Sequence, residues 1–347
     1  MQVGITGFPR SGKTTVFQAL APGVKPGREV TFGNIKVPDP RIDQLTEHFQ
    51  PKKTTLAEIT FVDIAGIPGA ADGAKALEPR TIAAMRSSDV LVHVVRVFPD
   101  AMGGKDVDPA RDVDDFAAEL IFADLEVVEK RLDRLRRENA KTLERSALER
   151  CQEALEAETP LRELAFDDDE LKAMSGYALV SLRPLITLFN LGEDEWSDDT
   201  YAAWRTPEPP TGDKQAAMSL CGQIEMELTD LDEDEQAEFL EALDLTEPAR
   251  FAFIRKAYEL MDLISFLTSG KDECRAWTVR KGSPAPVAAG KIHTDLQRGF
   301  IRAEVLAWDD WVKYGSEQAA KAAGVYRVEG KSYIVQDGDI MNIRSGV

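Results

Sequence analysis

Gly7-Phe8-Pro9-Arg10-Ser11-Gly12-Lys13-Thr14 is the stretch from which the rest of the chain can be read. It has the form G-x-x-x-x-G-K-T, the pattern of a phosphate-cradling P-loop, and its flanks fit that reading. Before it, Gln2–Thr6 is a short apolar run of strand character. After it, Thr15–Leu20 carries the apolar spacing of a helix's first turns. Glycines let successive backbone N–H groups converge on phosphate oxygens, and the helix N-terminus adds partial positive charge. In that geometry Lys13 reaches the β- and γ-phosphates and the Thr14 hydroxyl ligates Mg²⁺. An α/β fold with a mostly parallel sheet follows.

Working outward, Leu56–Val62 reads as a strand running into Asp63-Ile64-Ala65-Gly66. An aspartate ending a buried strand can hold Mg²⁺ through its water shell. The glycine that follows can offer its N–H to the γ-phosphate and let the loop move when that phosphate leaves. Lys13 and Gly66 are therefore the candidate catalytic groups, and Thr14 and Asp63 the candidate metal ligands. Position 67 is Ile, where Ras-like enzymes keep a water-orienting Gln. An aliphatic side chain cannot position water, so slow turnover or recruitment of another group is expected. Gly69–Pro79 reads as the mobile switch loop. Val90–Val95 is a continuous apolar run, expected as a strand buried on both faces, with His93 a packed core residue.

Between residues 112 and 158 the periodicity changes. Ile121, Leu125, Val128, Leu132 and Leu135 alternate at intervals of four and three, the rhythm of a coiled-coil seam, and Leu148, Cys151 and Leu155 resume it. This predicts an antiparallel helical hairpin inserted in the nucleotide domain, either an amphipathic pair packed on the core or a contact arm. The sheet resumes at Leu185–Phe189, followed by Asn190-Leu191-Gly192-Glu193. GTPases place Asn-Lys-x-Asp here. Glu193 for Asp displaces the guanine clamp by a methylene, so adenine becomes plausible. Ser219-Leu220-Cys221-Gly222 stands where a second base-contacting loop belongs. Residues 196–214 read as a surface loop, and residues 227–247, with ten acidic residues and no basic one, as a solvated helix face.

The chain has 347 residues and a net charge of −19, which argues against DNA and non-specific nucleic-acid binding. No stretch approaches the ~20 apolar residues of a membrane span, and no signal peptide is expected before the first strand. Three cysteines and three histidines lie scattered without ligand spacing, which points to a reducing cytoplasm and away from zinc. Residues 263–347 hold 12 Lys+Arg against 10 Asp+Glu, whereas the remainder holds 30 against 51, so the C-terminal part reads as a separate module with its own partner. Strand patterns at 275–279, 299–305 and 332–335, and an Asp337-Gly338 turn before Ile340–Ile343, make that module a sheet. The expected division is 1–262, carrying the hairpin at about 112–158, and 263–347.

These motifs carry a resemblance. Over essentially its whole length the chain resembles the YchF family of Obg-related P-loop NTPases, the translation-associated ATPases. The P-loop, Val37–Arg41, Phe61–Gly66 and His93–Arg96 fit, and the closest match lies in Ala289–Asp295, Gly299–Glu304 and Tyr333–Asp339. The resemblance implies a C-terminal β-grasp (TGS) domain, preference for ATP over GTP through Asn-x-x-Glu, and association with the ribosome through the TGS domain and the hairpin. It also implies that Arg10, Ser11, Gly12, Lys13, Thr14 and Thr15 bind phosphates and that Leu191 meets the base through its main chain; Asn190, Glu193 and Ser219 complete the nucleotide set. An ATP-hydrolysing switch, a binding module without turnover and an ordinary GTPase stay open.

Three departures stand out. Arg10 replaces the family's usual P-loop Asn, a residue linked to potassium use in related enzymes. A guanidinium can stand in for that cation, so hydrolysis is expected to be indifferent to swapping potassium for sodium; strong potassium activation would sink this. The switch Thr has no clean counterpart, an ungapped count landing on Gly27 and a realigned one on Thr31. Ala74, Lys75 and Ala76 thin the glycines of the second switch.

Overall fold

A computed structural model describes residues 1–24, 31–67, 78–99, 107–139, 141–210, 212–243 and 245–346. The strands are β1 (Gln2–Thr6), β2 (Thr31–Lys36), β3 (Lys53–Thr55), β4 (Glu58–Asp63), β5 (Val90–Arg96), β6 (Leu185–Asn190), β7 (Gln215–Leu220), β8 (Leu263–Thr268), β9 (Glu273–Arg280), β10 (Phe300–Leu306), β11 (Arg327–Glu329) and β12 (Ile340–Ser345). The chain forms two compact units, one of residues 1–35 and 60–253, the other of residues 36–59 and 254–347.

The first unit is built on a sheet of order β2-β4-β1-β5-β6-β7, in which β1 pairs in parallel with β4 and β5, and β5–β6 and β6–β7 are also parallel. Chain order reverses at β1, which has β4 on one side and β5 on the other. Ligands of such sheets lie in the crevice at the carboxyl ends of the strands where the order reverses. Helix α1 (Lys13–Leu20) follows β1 and buries Val16, Phe17, Ala19 and Leu20. As its unbroken apolar sequence predicts, β5 is buried at six of its seven positions.

Helix α2 (Pro40–Phe49) belongs to the second unit, and α3 (Pro79–Ser87) to the first. The inserted hairpin is present: α4 (Pro109–Arg137) and α5 (Leu143–Glu156). Asp108 caps α4 by accepting from the Arg111 N–H with Pro109 in the first turn, and Thr142 caps α5 by accepting from the Arg145 N–H. The seam residues Ile121, Val128, Leu132 and Leu135 are buried with Leu148, Cys151 and Leu155 in one apolar cluster, with Leu125 at its margin. Across the turn, Arg131 grips Glu144 in a two-pronged ion pair.

In the second unit β8 and β9 form an antiparallel hairpin, β12 lies parallel to β8, and β10 joins β12 and β11 antiparallel. The helix Ala285–Ile292 covers one face over Ile264, Phe266, Val279, Val305 and Met341. This is the expected β-grasp order of hairpin, crossover helix and returning central strand. The sheet reaches β11-β10-β12-β8-β9-β3, so residues 53–55 pair with β9. The single strand expected over Leu56–Val62 is therefore shorter at its start, and the polar Lys-Thr-Thr just before it makes a strand in the other sheet. Asp39 caps α2 and is forked by Arg41, which reaches Asp337 at 2.7 Å with its other nitrogen. These contacts bring residues 36–59 into the second unit, a division different from the one expected at 262.

Other expectations shift. Residues 332–335 make only a bridge between Ile334 and Pro284 rather than a strand. Residues 196–214 contain short helices at Glu193–Ser197 and Ala202–Arg205 instead of pure loop. The buried run Leu263–Thr268 is a strand, β8, that alternation does not flag because both its faces are covered. The switch segment Gly69–Pro79, including Ala74, Lys75 and Ala76, lies almost wholly outside the described residues, as does Gly27. Thr31 opens β2 and is half-buried.

Candidate functional site

The P-loop leaves β1 and turns sharply into α1. Arg10 and Gly12 both adopt the left-handed conformation, with φ of 65° and 81°. A Cβ at Gly12 would also stand 2.2 Å from Asn190 Nδ2, so that amide would have to move to admit one. Gly7 leans on β5, where a Cβ would meet the Val94 carbonyl at 2.6 Å. Ser11 is 3% exposed and, among the described residues, its hydroxyl has no partner. Lys13 and Thr14 are half-buried and Thr15 exposed at the opening of α1.

The second motif comes to the first. The Ile67 N–H donates to the Gly7 carbonyl at 3.0 Å, so the Asp63–Ile67 loop lies along the P-loop. Lys13 Nζ is 3.1 Å from where a Gly66 Cβ would be, so the ammonium lies close against this loop. Burial pushes the Asp63 carboxyl up, and the charge of Lys13 pulls it back down. Among the described residues its Oδ1 is buried without a partner. A carboxylate oxygen without a partner and the hydroxyl of the helix-opening Thr14 are hard oxygens of the kind that suit Mg²⁺. Among the described residues no cluster of three or more His, Cys, Asp or Glu could hold a metal.

Ile67 itself points away from this cleft. It is 1% exposed and packs with Val62, Ile64, Met85, Leu91 and the α4 residues Phe116 and Leu120. His93 lies beside the same cluster, stacked on Phe116 at 4.0 Å and edge-on to Phe8 of the P-loop at 5.8 Å. It is the expected packed residue, but an unsatisfied one: among the described residues neither ring nitrogen has a partner, and burial pushes it down to about 3. In the unfolded chain it protonates below its ordinary value near 6.5, so the unfolded state binds the extra proton and stability falls as pH drops below 6.5 toward 3. Lowering pH from 8 to 5 should take away about 2 kcal/mol through this residue. Urea midpoints of wild type and His93→Phe at both pH values check it: the variant should lose distinctly less, and equal losses would refute the assignment.

On the base side, Asn190 is 3% exposed and bridges two loops. Its Nδ2 donates to the Ser11 carbonyl, and its Oδ1 accepts from the Gly222 N–H, both at 3.0 Å. Leu191 is buried and its N–H is committed to the Leu220 carbonyl at 2.9 Å. Glu193 is exposed at the start of its short helix. Ser219 lies within β7, and its hydroxyl donates to the Arg205 carbonyl. Thus Ser11, Gly12, Lys13, Thr14, Asp63, Gly66 and Asn190 come together at one end of the sheet. Ser219 is a strand residue already partnered, and the loop residue facing the P-loop helix there is Gly222, whose Cβ position would lie 3.5 Å from Thr15. Sequence reasoning also missed Phe98. Its ring lies 3.6 Å from the Cβ position of Gly12, while its Cβ lies 3.2 Å from that of Gly192. No local pattern marks this residue, which becomes visible only when the loops after β5 and β6 are brought to the P-loop.

The sheet order, the P-loop at the reversal and the D-x-x-G loop against Lys13 define a P-loop NTPase-type domain. Residues 2–131 match a family model described as a 50S ribosome-binding GTPase, and residues 263–346 match a YchF-GTPase C-terminal model described as a protein of unknown function. The chain is 38% identical to the ribosome-binding ATPase YchF of Pasteurella multocida over 99% of each chain, and 36% identical to that of Bacillus subtilis over the whole of both. It superposes on the structure of the Schizosaccharomyces pombe YchF GTPase with a TM-score of 0.84 at 30% identity, covering 99% of this chain and 97% of that one. The chain belongs to the YchF family.

Proposed function

We propose that this protein is an ATP-binding, slowly hydrolysing molecular switch of the cytoplasm that associates with the ribosome and modulates translation or the stress response. The observation that carries the reading is the seating of Lys13 against Gly66 with Asp63 beside it, the meeting of the two phosphate-facing motifs. Arg10 to Thr15 would hold the phosphates, Thr14 and Asp63 the Mg²⁺, and the Gly66 N–H the γ-phosphate. Phosphoryl transfer then rests on positioning and charge neutralisation. Asn190, the Leu191 main chain and Glu193 would frame the base, with Phe98 supplying an aromatic face. The relatives' names supply the ribosome and the ATP, and nucleotide hydrolysis in general is the activity those names share. The TGS module and the hairpin are the proposed contacts. Among the described residues no helix is long and apolar enough to cross a membrane.

A second reading, a nucleotide-occupied binding module without significant turnover, is favoured by Ile67, whose side chain is locked in the core and cannot orient water. ATP and GTP affinities measured alongside single-turnover hydrolysis, with ribosome co-sedimentation with and without ATP, test both. ATP preference, slow cleavage and nucleotide-dependent co-sedimentation are expected. Binding without cleavage would favour the second reading, and guanine selectivity would overturn the assignment of ATP.

A further inference from the structure

Three arginines gather round the turn Val180–Arg183 that leads into β6. Arg86 comes from the last turn of α3, Arg162 from the short helical turn Leu161–Glu163, and Arg183 from the turn itself. The links are direct. The Arg162 N–H donates to the Ser181 carbonyl and its Nε to the Arg183 carbonyl, both at 2.9 Å. Arg183 Nη2 in turn donates to the Arg86 carbonyl at 2.9 Å. Yet each keeps one buried guanidinium nitrogen without a partner among the described residues: Arg86 Nε, Arg162 Nη2 and Arg183 Nε. Arg86 and Arg183 are half-buried, and Arg162 is only 5% exposed, so bulk solvent does not supply its acceptor.

A guanidinium offers donors only, and burying donors without acceptors is costly. The carboxylates nearby do not meet the need. Asp124 of α4 spends both oxygens on the Val180 and Ser181 N–H groups and the Ser181 hydroxyl. Among the described residues no hydrogen bond or ion pair joins it to any of the three arginines. Glu163, the other negative charge acting on Arg162, is exposed and accepts from Gln215. The turn thus gathers three positive charges against one buried negative one. The group that completes it is an acceptor that brings negative charge and no proton. Water would bring hydrogens that need acceptors of their own. The buried side-chain acceptors left unpartnered, on Thr6, Ser11, Asp63 and His93, belong to β1, the P-loop, β4 and β5. A phosphate would bring more oxygens than three buried nitrogens satisfy, so a halide fits the donor count better. We propose that the Val180–Arg183 turn binds one small inorganic anion, chloride, held by Arg162 Nη2 together with Arg86 and Arg183. The ion fastens the root of the hairpin to the strand that leads to Asn190. The site lies within the first unit, and its argument does not draw on the reading of the nucleotide cleft.

Bromide substitutes for chloride and scatters anomalously, so crystals of the full chain grown in sodium bromide give the direct test. An anomalous peak within hydrogen-bonding distance of Arg162 Nη2 is expected. A water at that place, or bromide at the P-loop alone, overturns the proposal. In solution, sodium chloride is exchanged for sodium gluconate at constant ionic strength. Chloride should raise the melting temperature of wild type by about 2–4 °C, the effect of a ligand at roughly ten times its dissociation constant. Lys13→Ala, which disables the other anion-binding loop, should keep that rise. Arg162→Met and Arg86→Met should each lose at least half of it. Arg86 is the less buried of the two, so its variant carries the comparison if Arg162→Met does not fold. No rise in wild type overturns the proposal, as does a rise that Lys13→Ala abolishes or that the arginine variants retain in full.

Discussion

Lys13→Ala should lower ATP affinity at least about a hundredfold while leaving the fold intact. Hydrogen bonds to charged groups contribute about 1.5–3 kcal/mol, and a phosphate bound without its ammonium forfeits the upper end of that range. Each 1.4 kcal/mol is roughly tenfold in dissociation constant. The variant should be tolerated because Lys13 is half-buried at the opening of α1 and its ammonium lies against a glycine rather than in a packed pocket. The electrostatic consequence falls on Asp63, whose carboxyl is pushed up by burial and held down by Lys13. Without the lysine it should move further up, so residual Mg²⁺–ATP binding should weaken as pH falls at a higher pH than in wild type. Calorimetric titration with Mg²⁺–ATP, paired with a thermal melt, separates binding from folding. Affinity within threefold of wild type would remove the P-loop from the nucleotide site.

Much of this site was legible because its chemistry is local. A P-loop needs glycines and a lysine at fixed offsets, and D-x-x-G needs only a preceding strand, so both could be read from residue order. The hairpin was legible through periodicity, since Ile121 to Leu135 must share a face. What could not be read is where side chains go once the loops meet. Ile67 was visible as a missing glutamine, but not as part of the cluster at the root of α4 with Phe116 and Leu120. Lys53–Thr55 carries no apolar alternation, and its pairing with β9 is fixed by a partner more than two hundred residues away in sequence. Phe98 comes to the P-loop by proximity alone. Alternation marked the C-terminal sheet through β9, β10 and β12, but not β8, whose sequence LISFLT is buried at five of six positions and has no period to detect.

The largest expected effect on stability is that of Asp124→Ala. Asp124 lies on α4, is wholly buried, and accepts three hydrogen bonds: from the Val180 N–H at 2.9 Å, the Ser181 N–H at 2.7 Å and the Ser181 hydroxyl at 2.6 Å. Burial pushes its carboxyl up, with the three donors and Arg86 acting against that. The same turn accommodates the buried Arg162, whose Nε donates to the Arg183 carbonyl and whose Nη2 has no partner among the described residues. Burial pushes Arg162 down to about 10, and Asp124 is the first charge that opposes this. Truncation would therefore strand two backbone N–H groups and a hydroxyl in the interior and remove the main counter-charge of a buried guanidinium. Breaking a buried charge pair costs about 3–5 kcal/mol. Asp124→Asn, which keeps one acceptor but not the charge, should cost about half as much. Because the turn leads directly into β6 and so to Asn190, loosening it should also weaken nucleotide binding, though by less than Lys13→Ala does. Urea unfolding followed by fluorescence, with ATP affinity measured on each variant, provides the check. An Asp124→Ala midpoint equal to wild type would show that the hairpin is rooted by its apolar cluster alone.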